Sequence, residues 1–366
     1  MPNMNMKHID YLMQQALSEN VFPGAVLLVS KDNAILFYHA YGYSNLITQS
    51  VTDRNTIYDL ASLTKPLATT LAIMALIQKG KLYLNQPIGS ILPPFCHTEK
   101  ETITIRHLLC HNSGLPDYRP YYSKLSTLPP EKRKTALNGY LVEEPLLNPI
   151  GKKVVYSDLG FMILRWLVET VSNQPLDHLA SQEIYHPLGI WDLFFADSKS
   201  STDRQRIAAT ERCLWRNLVL QGQVHDENAW VMGGVEGHAG LFGTAIEINK
   251  LLWSLMNVYY GGPSVLFFEK ELLKVFFKKQ VDSDRALGFD MPSGPNASCG
   301  HYFSDHSVGH LGFTGTSFWM DLDQSIVVIL LTNRIHLSRD NIKIREFRPL
   351  LHNVIMETVT MKKKHR

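Results

Sequence analysis

The 366-residue sequence predicts an α+β fold: an antiparallel β-sheet flanked by helices, built from both chain ends, with a mainly helical domain inserted. Apolar, β-branched and aromatic runs typical of strands lie near both ends, at residues 24–40 and 317–332. Helical periodicity dominates between about residues 67 and 204. We therefore expect a sheet domain from residues 1–80 and 205–366, a helical domain from residues 81–204, and an active site in the cleft between them.

The composition excludes several classes of protein. Apolar residues make up 45% of the sequence and charged residues 19%, which is typical of a globular chain and not of a disordered one. The net charge of +2 provides no excess of basic residues with which to bind a nucleic-acid backbone. Apolar runs such as residues 326–331 fall far short of the roughly 20 residues that span a bilayer. We expect a small-molecule substrate, no nucleic-acid partner and no membrane span; the oligomeric state stays open.

The N-terminus and the cysteines bear on the cellular compartment. The first residues contain no basic region followed by an apolar core, so no Sec-type signal peptide is recognised in the sequence as written. Cys96, Cys110, Cys213 and Cys299 are widely spaced, which fits isolated thiols better than a disulfide framework. We expect a cytoplasmic protein, with a periplasmic location as the alternative.

The elements at the two ends can be placed from local patterns. Apolar residues at helical spacing predict an amphipathic helix over residues 5–17 that stops before Pro23. Residues 24–30 and 34–40 read as strands of a hairpin, since the Asp and Asn between them tolerate the positive φ of a tight turn. A second hairpin is expected from residues 317–320 and 326–332 around a polar turn.

The segment Ala61-Ser62-Leu63-Thr64-Lys65-Pro66 is the first candidate for chemistry. Proline is tolerated in the first turn of a helix, so Pro66 predicts a helix that starts close to Ser62 and runs to Gly80. Residues three apart share a helix face, which brings the Lys65 amine within reach of the Ser62 hydroxyl. A desolvated lysine can act as the base that activates a serine. The alternative is an ordinary helix cap.

Two further segments carry candidate residues. In Tyr156-Ser157-Asp158-Leu159-Gly160, a phenol placed beside an ammonium can have a lowered pKa and shuttle protons; the alternative is a helix cap with Tyr156 in packing. Residues 309–317 lead into a strand and contain three glycines, which allow a backbone N–H to approach a substrate carbonyl. A bulged hairpin edge is the alternative there.

Together these three segments resemble the serine β-lactamase and penicillin-binding-protein superfamily, in particular the class C β-lactamase-like branch that includes esterases and D-stereospecific peptidases. The resemblance covers about residues 8–356 and includes the order and spacing of the segments. Flanking segments at residues 23–26, 107–116 and 234–242 also match the pattern of this superfamily. The resemblance implies a β-lactamase/transpeptidase-like fold.

The resemblance also implies roles for individual residues. Ser62 is the expected nucleophile, Lys65 its base partner, and Tyr156 the general base in acylation and the proton donor to the leaving group. The backbone N–H groups of Ser62 and Phe313 are expected to form the oxyanion hole. The implied reaction is two-step acyl transfer through an acyl-enzyme.

Two departures from the β-lactamase pattern matter. His310-Leu311-Gly312 stands where β-lactamases have Lys-Thr-Gly, so a fixed positive charge and a hydroxyl that hold a β-lactam carboxylate are missing. Asp158 stands where they have Asn; its carboxylate is expected to raise the pKa of Lys65 and to place more of the proton transfer on Tyr156. Both changes favour the esterase-like relatives. We expect His310, Gly312 and Asp158 to contact substrate.

Other histidines are candidates for contact with substrate or with a metal ion. His238 lies among glycines that allow close backbone approach, so it is a candidate to line the cleft, with structural hydrogen bonding as the alternative. A metal cluster at Cys96-His97, His107 and Cys110-His111, or at residues 225–228, is a less simple explanation than ordinary turns and a polar loop. We expect neither metal nor cofactor.

The sequence thus predicts a serine hydrolase that cleaves an ester or amide, including a β-lactam or a D-amino-acid peptide, through a Ser62 acyl-enzyme. One rival is a penicillin-binding DD-peptidase or β-lactamase that acts on cell-wall peptides. The other is a non-catalytic scaffold or binding member of the family. The natural substrate depends on loops that the sequence does not place.

Overall fold

A computed structural model describes residues 6–196, 203–263, 265–266, 268–281, 283–294 and 297–360. Its α-helices, α1 to α11 in chain order, are Met6–Ser18, Leu71–Gln78, Ile105–Leu109, Tyr122–Leu125, Pro130–Glu143, Asp158–Ser172, Leu176–Ala180, Glu227–Val231, Ala245–Tyr260, Lys270–Phe276 and Ile344–Thr360. Its strands, β1 to β11, are Gly24–Lys31, Ala34–Asn45, Ser50–Val51, Tyr58–Asp59, Leu193–Phe195, Arg212–Cys213, Leu218–Val219, Leu241–Gly243, Val308–Leu311, Ser317–Asp321 and Ile326–Thr332.

The main sheet joins the two ends of the chain. Its six strands run in the order β3-β2-β1-β11-β10-β9, and every neighbouring pair is antiparallel. At its centre β1 lies beside β11, with Ala25 opposite Thr332 and Lys31 opposite Ile326. The predicted α+β fold, with one sheet built from both chain ends and flanked by helices, is confirmed.

Helices cover both faces of the two central strands. Alternate strand residues point to opposite faces, so Leu27 packs in one cluster with Ile9 of α1 and Ile355 of α11. Leu28 and Ile329 belong to a second cluster on the other face, together with buried residues of α2 and α9. Burial on both faces explains why these strands are continuous apolar runs in the sequence.

Both predicted hairpins are present. Asp32 and Asn33 form the two-residue turn between β1 and β2, with φ of 49° and 61°, as a tight hairpin requires. Between β10 and β11, the buried carboxylate of Asp321 accepts hydrogen bonds from the N–H groups of Asp323 (3.0 Å) and Gln324 (2.9 Å). These contacts fix the polar turn that the sequence indicated.

Helices α3 to α7 lie within residues 81–204, the segment predicted to be the inserted helical domain. The largely buried α6 packs against α2, α3, α5 and α7. A small second sheet, in the order β4-β8-β5, lies where the chain enters the Ser62 segment. The domain boundaries at residues 80/81 and 204/205 remain predictions. Within the described ranges, no helix is long and apolar enough to cross a membrane.

The predicted regular helix from Ser62 to Gly80 is wrong in detail. The chain forms a 3₁₀ turn at Ala61–Leu63, a π-helical segment at Lys65–Thr70, and only then the α-helix Leu71–Gln78. Pro66 is the second residue of the π-helical segment and has no N–H to donate. Helical segments of this wider kind are often found at functional sites.

A buried polar link fastens α9 to the central sheet and allows a stability test. Ser30 of β1 donates to Asn249 Oδ1 (2.6 Å) and accepts from Trp253 Nε1 (2.7 Å). We expect Ser30→Ala to lower the free energy of unfolding by about 2 kcal/mol, because a buried acceptor and a buried donor lose their partner. Urea denaturation measures the change.

The matched control is Ser18→Ala, which removes an exposed hydroxyl that donates to Gln15 O. Its expected effect stays within about 0.5 kcal/mol. Equal stability of Ser30→Ala and the wild type would show that the Ser30 link adds nothing to the packing of α9.

Candidate active site

Ser62 lies in the 3₁₀ turn that follows β4. Leu60 still pairs with the small sheet, its N–H donating to Leu241 O (2.9 Å). The next residue, Ala61, has a φ of 48°, in the left-handed region that a non-glycine residue seldom adopts. Its N–H donates to Asp59 Oδ1 (2.9 Å). This local hydrogen bond stabilises the turn that presents the Ser62 hydroxyl.

Lys65 is fully buried beneath Ser62. Its Nζ donates to Ser62 Oγ (2.9 Å), to Asp158 Oδ1 (2.7 Å) and, at longer range, to His238 O (3.4 Å). Burial alone would lower the pKa of Lys65, but Asp158 and Tyr156 outweigh burial and raise it. The amine is therefore held as an ammonium at neutral pH, as the presence of Asp158 led us to expect.

Tyr156 completes the group around Ser62. Lys65 Nζ lies 4.7 Å from the centre of its ring, and Tyr156 borders the same cavity as Ser62. The expectation from the sequence that the pKa of the Tyr156 phenol is lowered is wrong. Burial of the phenol raises the pKa of Tyr156, and the lowering effect of the Lys65 ammonium is partly cancelled by the Asp158 carboxylate. A neutral phenol is thus the resting form.

Ser62 and Tyr156 border a cavity of about 310 Å³, whereas the fully buried Lys65 does not line it. Of the residues predicted from the sequence, Ser62, Tyr156, Asp158, His238 and Phe313 line it. The other lining residues are Ala61, Tyr118, His225, Asp226, Glu227, Ala239 and Arg339. The sequence pointed to residues 225–227 only as poor metal ligands. No sequence signal pointed to Arg339.

Phe313 lies in the turn between β9 and β10, close to Ser62. Thr314 Oγ1 donates to Asp59 O (2.7 Å) and Thr316 Oγ1 to Leu60 O (3.2 Å), so this turn is fastened to the strand that enters the Ser62 turn. Among the described residues, neither the Ser62 nor the Phe313 N–H has a hydrogen-bond partner. Both remain available as donors, as an oxyanion hole requires.

His310 and Gly312 do not line the cavity. His310 is buried, its Nδ1 donates to Leu311 O (2.9 Å), and its ring centre lies 5.9 Å from that of Tyr156. Burial lowers the pKa of His310 to about 4, so the ring is uncharged at neutral pH. A side chain at Gly312 would come within 2.6 Å of Leu60 O. Both residues pack behind the site, and their predicted contact with substrate stays a prediction.

A second acid–base pair lies across the cavity. His238 Nε2 is 2.9 Å from Asp226 Oδ1, and this oxygen also caps α8 by accepting from Ala229 N (2.7 Å). Burial opposes charging of His238, but Asp226 prevails and raises its pKa. Burial alone would raise the pKa of Asp226. The imidazole of His238 outweighs burial, so this pKa is lowered.

The residues whose donor atoms lie close enough to share a metal ion differ from the metal ligands considered in the sequence. Within the described residues, the donor atoms of Asp158, Asp226 and His238 lie within 4.8 Å of one another. Here Lys65 neutralises Asp158, and Asp226 pairs with His238. Cys96 and His107 contribute to no such group among these residues.

Comparison with known proteins identifies the family. The family model described as Beta-lactamase matches residues 9–351. The chain belongs to the beta-lactamase family. It is 33% identical over 367 residues to N-acetylmuramyl-L-alanine amidase of Bacillus subtilis (strain 168), covering 90% of this chain and 81% of that relative. It is 32% identical to a putative D-alanyl-D-alanine carboxypeptidase of Escherichia coli (strain K12), covering 88% and 82%.

Solved structures of the beta-lactamase fold agree with this assignment. EstCE1, a hydrolase with promiscuous acyltransferase activity, matches with a TM-score of 0.72 at 21% identity and covers 94% of this chain and 98% of that chain. The octameric penicillin-binding protein homologue from Pyrococcus abyssi matches with a TM-score of 0.73 at 21% identity, covering 95% and 78%. These matches confirm the predicted fold. The family and the named relatives support a serine hydrolase of small substrates such as peptides or esters.

The charge of Asp158 yields a prediction for the pH dependence of this beta-lactamase-family site. Asp158 raises the pKa of both Lys65 and Tyr156. If the active form has lost one proton from this pair, the rate of Ser62 acylation should rise as pH increases above neutrality. We expect Asp158→Asn to move this rise to lower pH by one unit or more, since the nearby opposite charge is gone. Acylation rates with a fluorophosphonate between pH 6 and pH 10 measure it.

The control is Asp192→Asn, which removes the carboxylate of an exposed pair with Arg206. Its pH profile should match that of the wild type. A rise that stays at the same pH in Asp158→Asn would contradict the electrostatic role of Asp158.

Proposed function

We propose that this protein cleaves an amide bond in bacterial cell-wall peptides or muropeptides through a Ser62 acyl-enzyme. The observation that carries the chemistry is the Lys65 Nζ at 2.9 Å from Ser62 Oγ and 4.7 Å from the centre of the Tyr156 ring. The relatives named N-acetylmuramyl-L-alanine amidase and D-alanyl-D-alanine carboxypeptidase support this class of substrate.

Acylation begins from the form that has lost one proton from the Lys65–Tyr156 pair. Asp158 keeps the proton on Lys65, so the phenol carries the negative charge and takes the proton of Ser62. Ser62 Oγ then attacks the substrate carbonyl carbon and forms a C–O bond. Tyr156 returns the proton to the leaving nitrogen as the C–N bond breaks, so every proton in the step is accounted for.

The oxyanion of the tetrahedral intermediate is stabilised by the N–H groups of Ser62 and Phe313. These donors are fixed before substrate arrives, because Asp59 accepts from Ala61 and Thr314 ties the Phe313 turn to the same strand. Donors that need no reorganisation during the reaction contribute most to lowering the barrier.

Deacylation uses the same groups in reverse order. A water molecule gives a proton to the Tyr156 phenolate as its oxygen attacks the acyl carbon. The bond between the acyl carbon and Ser62 Oγ then breaks, Tyr156 returns the proton to Ser62 Oγ, and the carboxylic acid product leaves. Lys65 stays protonated throughout, which keeps a fixed positive charge next to both oxygen atoms. The proposed cycle needs no cofactor.

β-Lactam hydrolysis is a weaker candidate. The position on β9 that carries lysine in β-lactamases has His310, whose pKa is lowered to about 4 by burial, so that strand presents no positive charge to a lactam carboxylate at neutral pH. Simple ester hydrolysis is a second candidate, favoured by an open cavity that a small acyl group can enter. Turnover of nitrocefin or of p-nitrophenyl acetate distinguishes these two activities from amide cleavage.

The nucleophile assignment is tested by covalent labelling. We expect Ser62→Ala to form no adduct with a fluorophosphonate, and Lys65→Ala and Tyr156→Phe each to slow acylation by on the order of 10² because proton transfer is lost. Intact mass spectrometry measures the adduct and its rate. Ser126→Ala, which removes an exposed hydroxyl, should behave as the wild type. An adduct that persists in Ser62→Ala would overturn the assignment.

The substrate class is tested with the wild type and Ser62→Ala side by side. Muramyl dipeptide, a peptide ending in D-alanyl-D-alanine, p-nitrophenyl acetate and nitrocefin report amidase, carboxypeptidase, esterase and β-lactamase activity in turn. Turnover of either cell-wall compound that requires Ser62 supports the proposal. Turnover of only the ester or the lactam would replace it, and a wild type with neither adduct nor turnover would favour the scaffold rival.

A further inference from the structure

Tyr156 is surrounded by charged and titratable side chains from several elements. Lys65 Nζ of the π-helical segment lies 4.7 Å from its ring centre, and the carboxylate of Asp158 at the start of α6 raises the pKa of its phenol. His111 packs on it with ring centres 4.6 Å apart, and His310 of β9 lies at 5.9 Å. A further cation also faces this ring: the guanidinium carbon of Arg285 lies 5.3 Å from the ring centre.

Arg285 comes from outside the three segments that form the site. It lies in the loop that follows α10 and precedes β9, and its side chain is 21% exposed. The carboxylate of Asp290 pairs with its guanidinium. Asp290 is itself fixed to β9, since its N–H donates to Gly309 O (2.8 Å) and its carbonyl accepts from Gly309 N (3.0 Å). The guanidinium is thus anchored to the strand next to His310.

The two histidines near Tyr156 do not supply positive charge. Burial lowers the pKa of His111 well below its ordinary range, with Arg285 and Lys65 adding to the effect. His310 is uncharged for the same reason. Arginine, by contrast, stays protonated at every relevant pH. Lys65 and Arg285 are therefore the two cations that face the Tyr156 ring among the described residues.

We propose that Arg285 is a positioning residue for Tyr156: its guanidinium holds the ring and stabilises the negative charge that develops on the phenol oxygen when Ser62 is activated. A cation over an aromatic face is attracted to the ring even when the phenol is neutral. The attraction strengthens once the phenol becomes a phenolate. The inference rests on the proposed function, because it concerns the proton transfer assigned to Tyr156 there.

This arrangement explains how the site can function without a lysine on β9. The strand carries the neutral His310, while a neighbouring loop bound to the same strand provides the cation. Asp290 neutralises part of the Arg285 charge, so the expected effect on Tyr156 is smaller than that of an unpaired arginine. None of the candidate residues recognised in the sequence lies in this loop.

The test compares Arg285→Gln and Arg285→Lys with the wild type over pH 6 to pH 10, using the rate of fluorophosphonate acylation at Ser62. We expect Arg285→Gln to move the alkaline rise of this rate to higher pH by about one unit, and to slow acylation about tenfold below the rise. Arg285→Lys should recover most of the wild-type profile, because it keeps the charge. Arg206→Gln, in the exposed pair with Asp192, is the matched control.

The outcomes separate this inference from the proposed function. A wild type that is not acylated at Ser62 would defeat the proposed function. Normal acylation of the wild type, with a pH profile unchanged in Arg285→Gln, would overturn the role of Arg285 alone. A lowered melting temperature without any shift of the profile would show a merely structural arginine. Arg285→Met serves as the neutral variant if Arg285→Gln does not fold.

Discussion

The buried ion pair between Lys65 and Asp158 determines most of what this site can do. A lysine that is fully removed from water must have a counter-ion, since an isolated buried charge is very costly. Lys65 comes from the segment after β4, whereas Asp158 is the first residue of α6, so the pair also joins the sheet to the inserted helices. Because the pair keeps Lys65 charged, we propose the phenol of Tyr156 as the group that exchanges protons with Ser62.

A second buried carboxylate fixes the geometry around that pair. Asp59 is 1% exposed, and its two oxygens accept from the N–H groups of Ala61 (2.9 Å) and His225 (2.7 Å). Its carbonyl accepts from Thr314 in the turn that carries Phe313. One residue thus connects the Ser62 turn, the segment that carries the Asp226–His238 pair, and the proposed oxyanion donors. Burial raises the pKa of Asp59, while the two N–H donors favour its charged form.

Sequence reasoning worked where local chemistry decides the structure and failed where burial or distance along the chain decides it. The Asp32–Asn33 turn and the spacing of Ser62 and Lys65 are local, and the structure shows both as expected. The pKa of Tyr156 was misjudged because the cost of burying a phenolate depends on packing that no local pattern reveals. Arg285 and Arg339 reach the site from loops without a motif, so no spacing could indicate them.

The groups around Ser62 are held by buried elements, whereas part of the cavity rim is formed by loops. Ser62, Lys65 and Tyr156 are positioned by a buried ion pair, a buried strand and a helix start, which leaves little freedom for change. Tyr118 and Arg339, in contrast, extend from loops into the cavity rim. Loops tolerate substitution far better than packed elements do, so the rim can be altered without disturbing the proton transfer. We therefore expect the proposed acyl transfer to depend on the buried groups around Ser62, and the choice of substrate to depend on a few side chains at the rim.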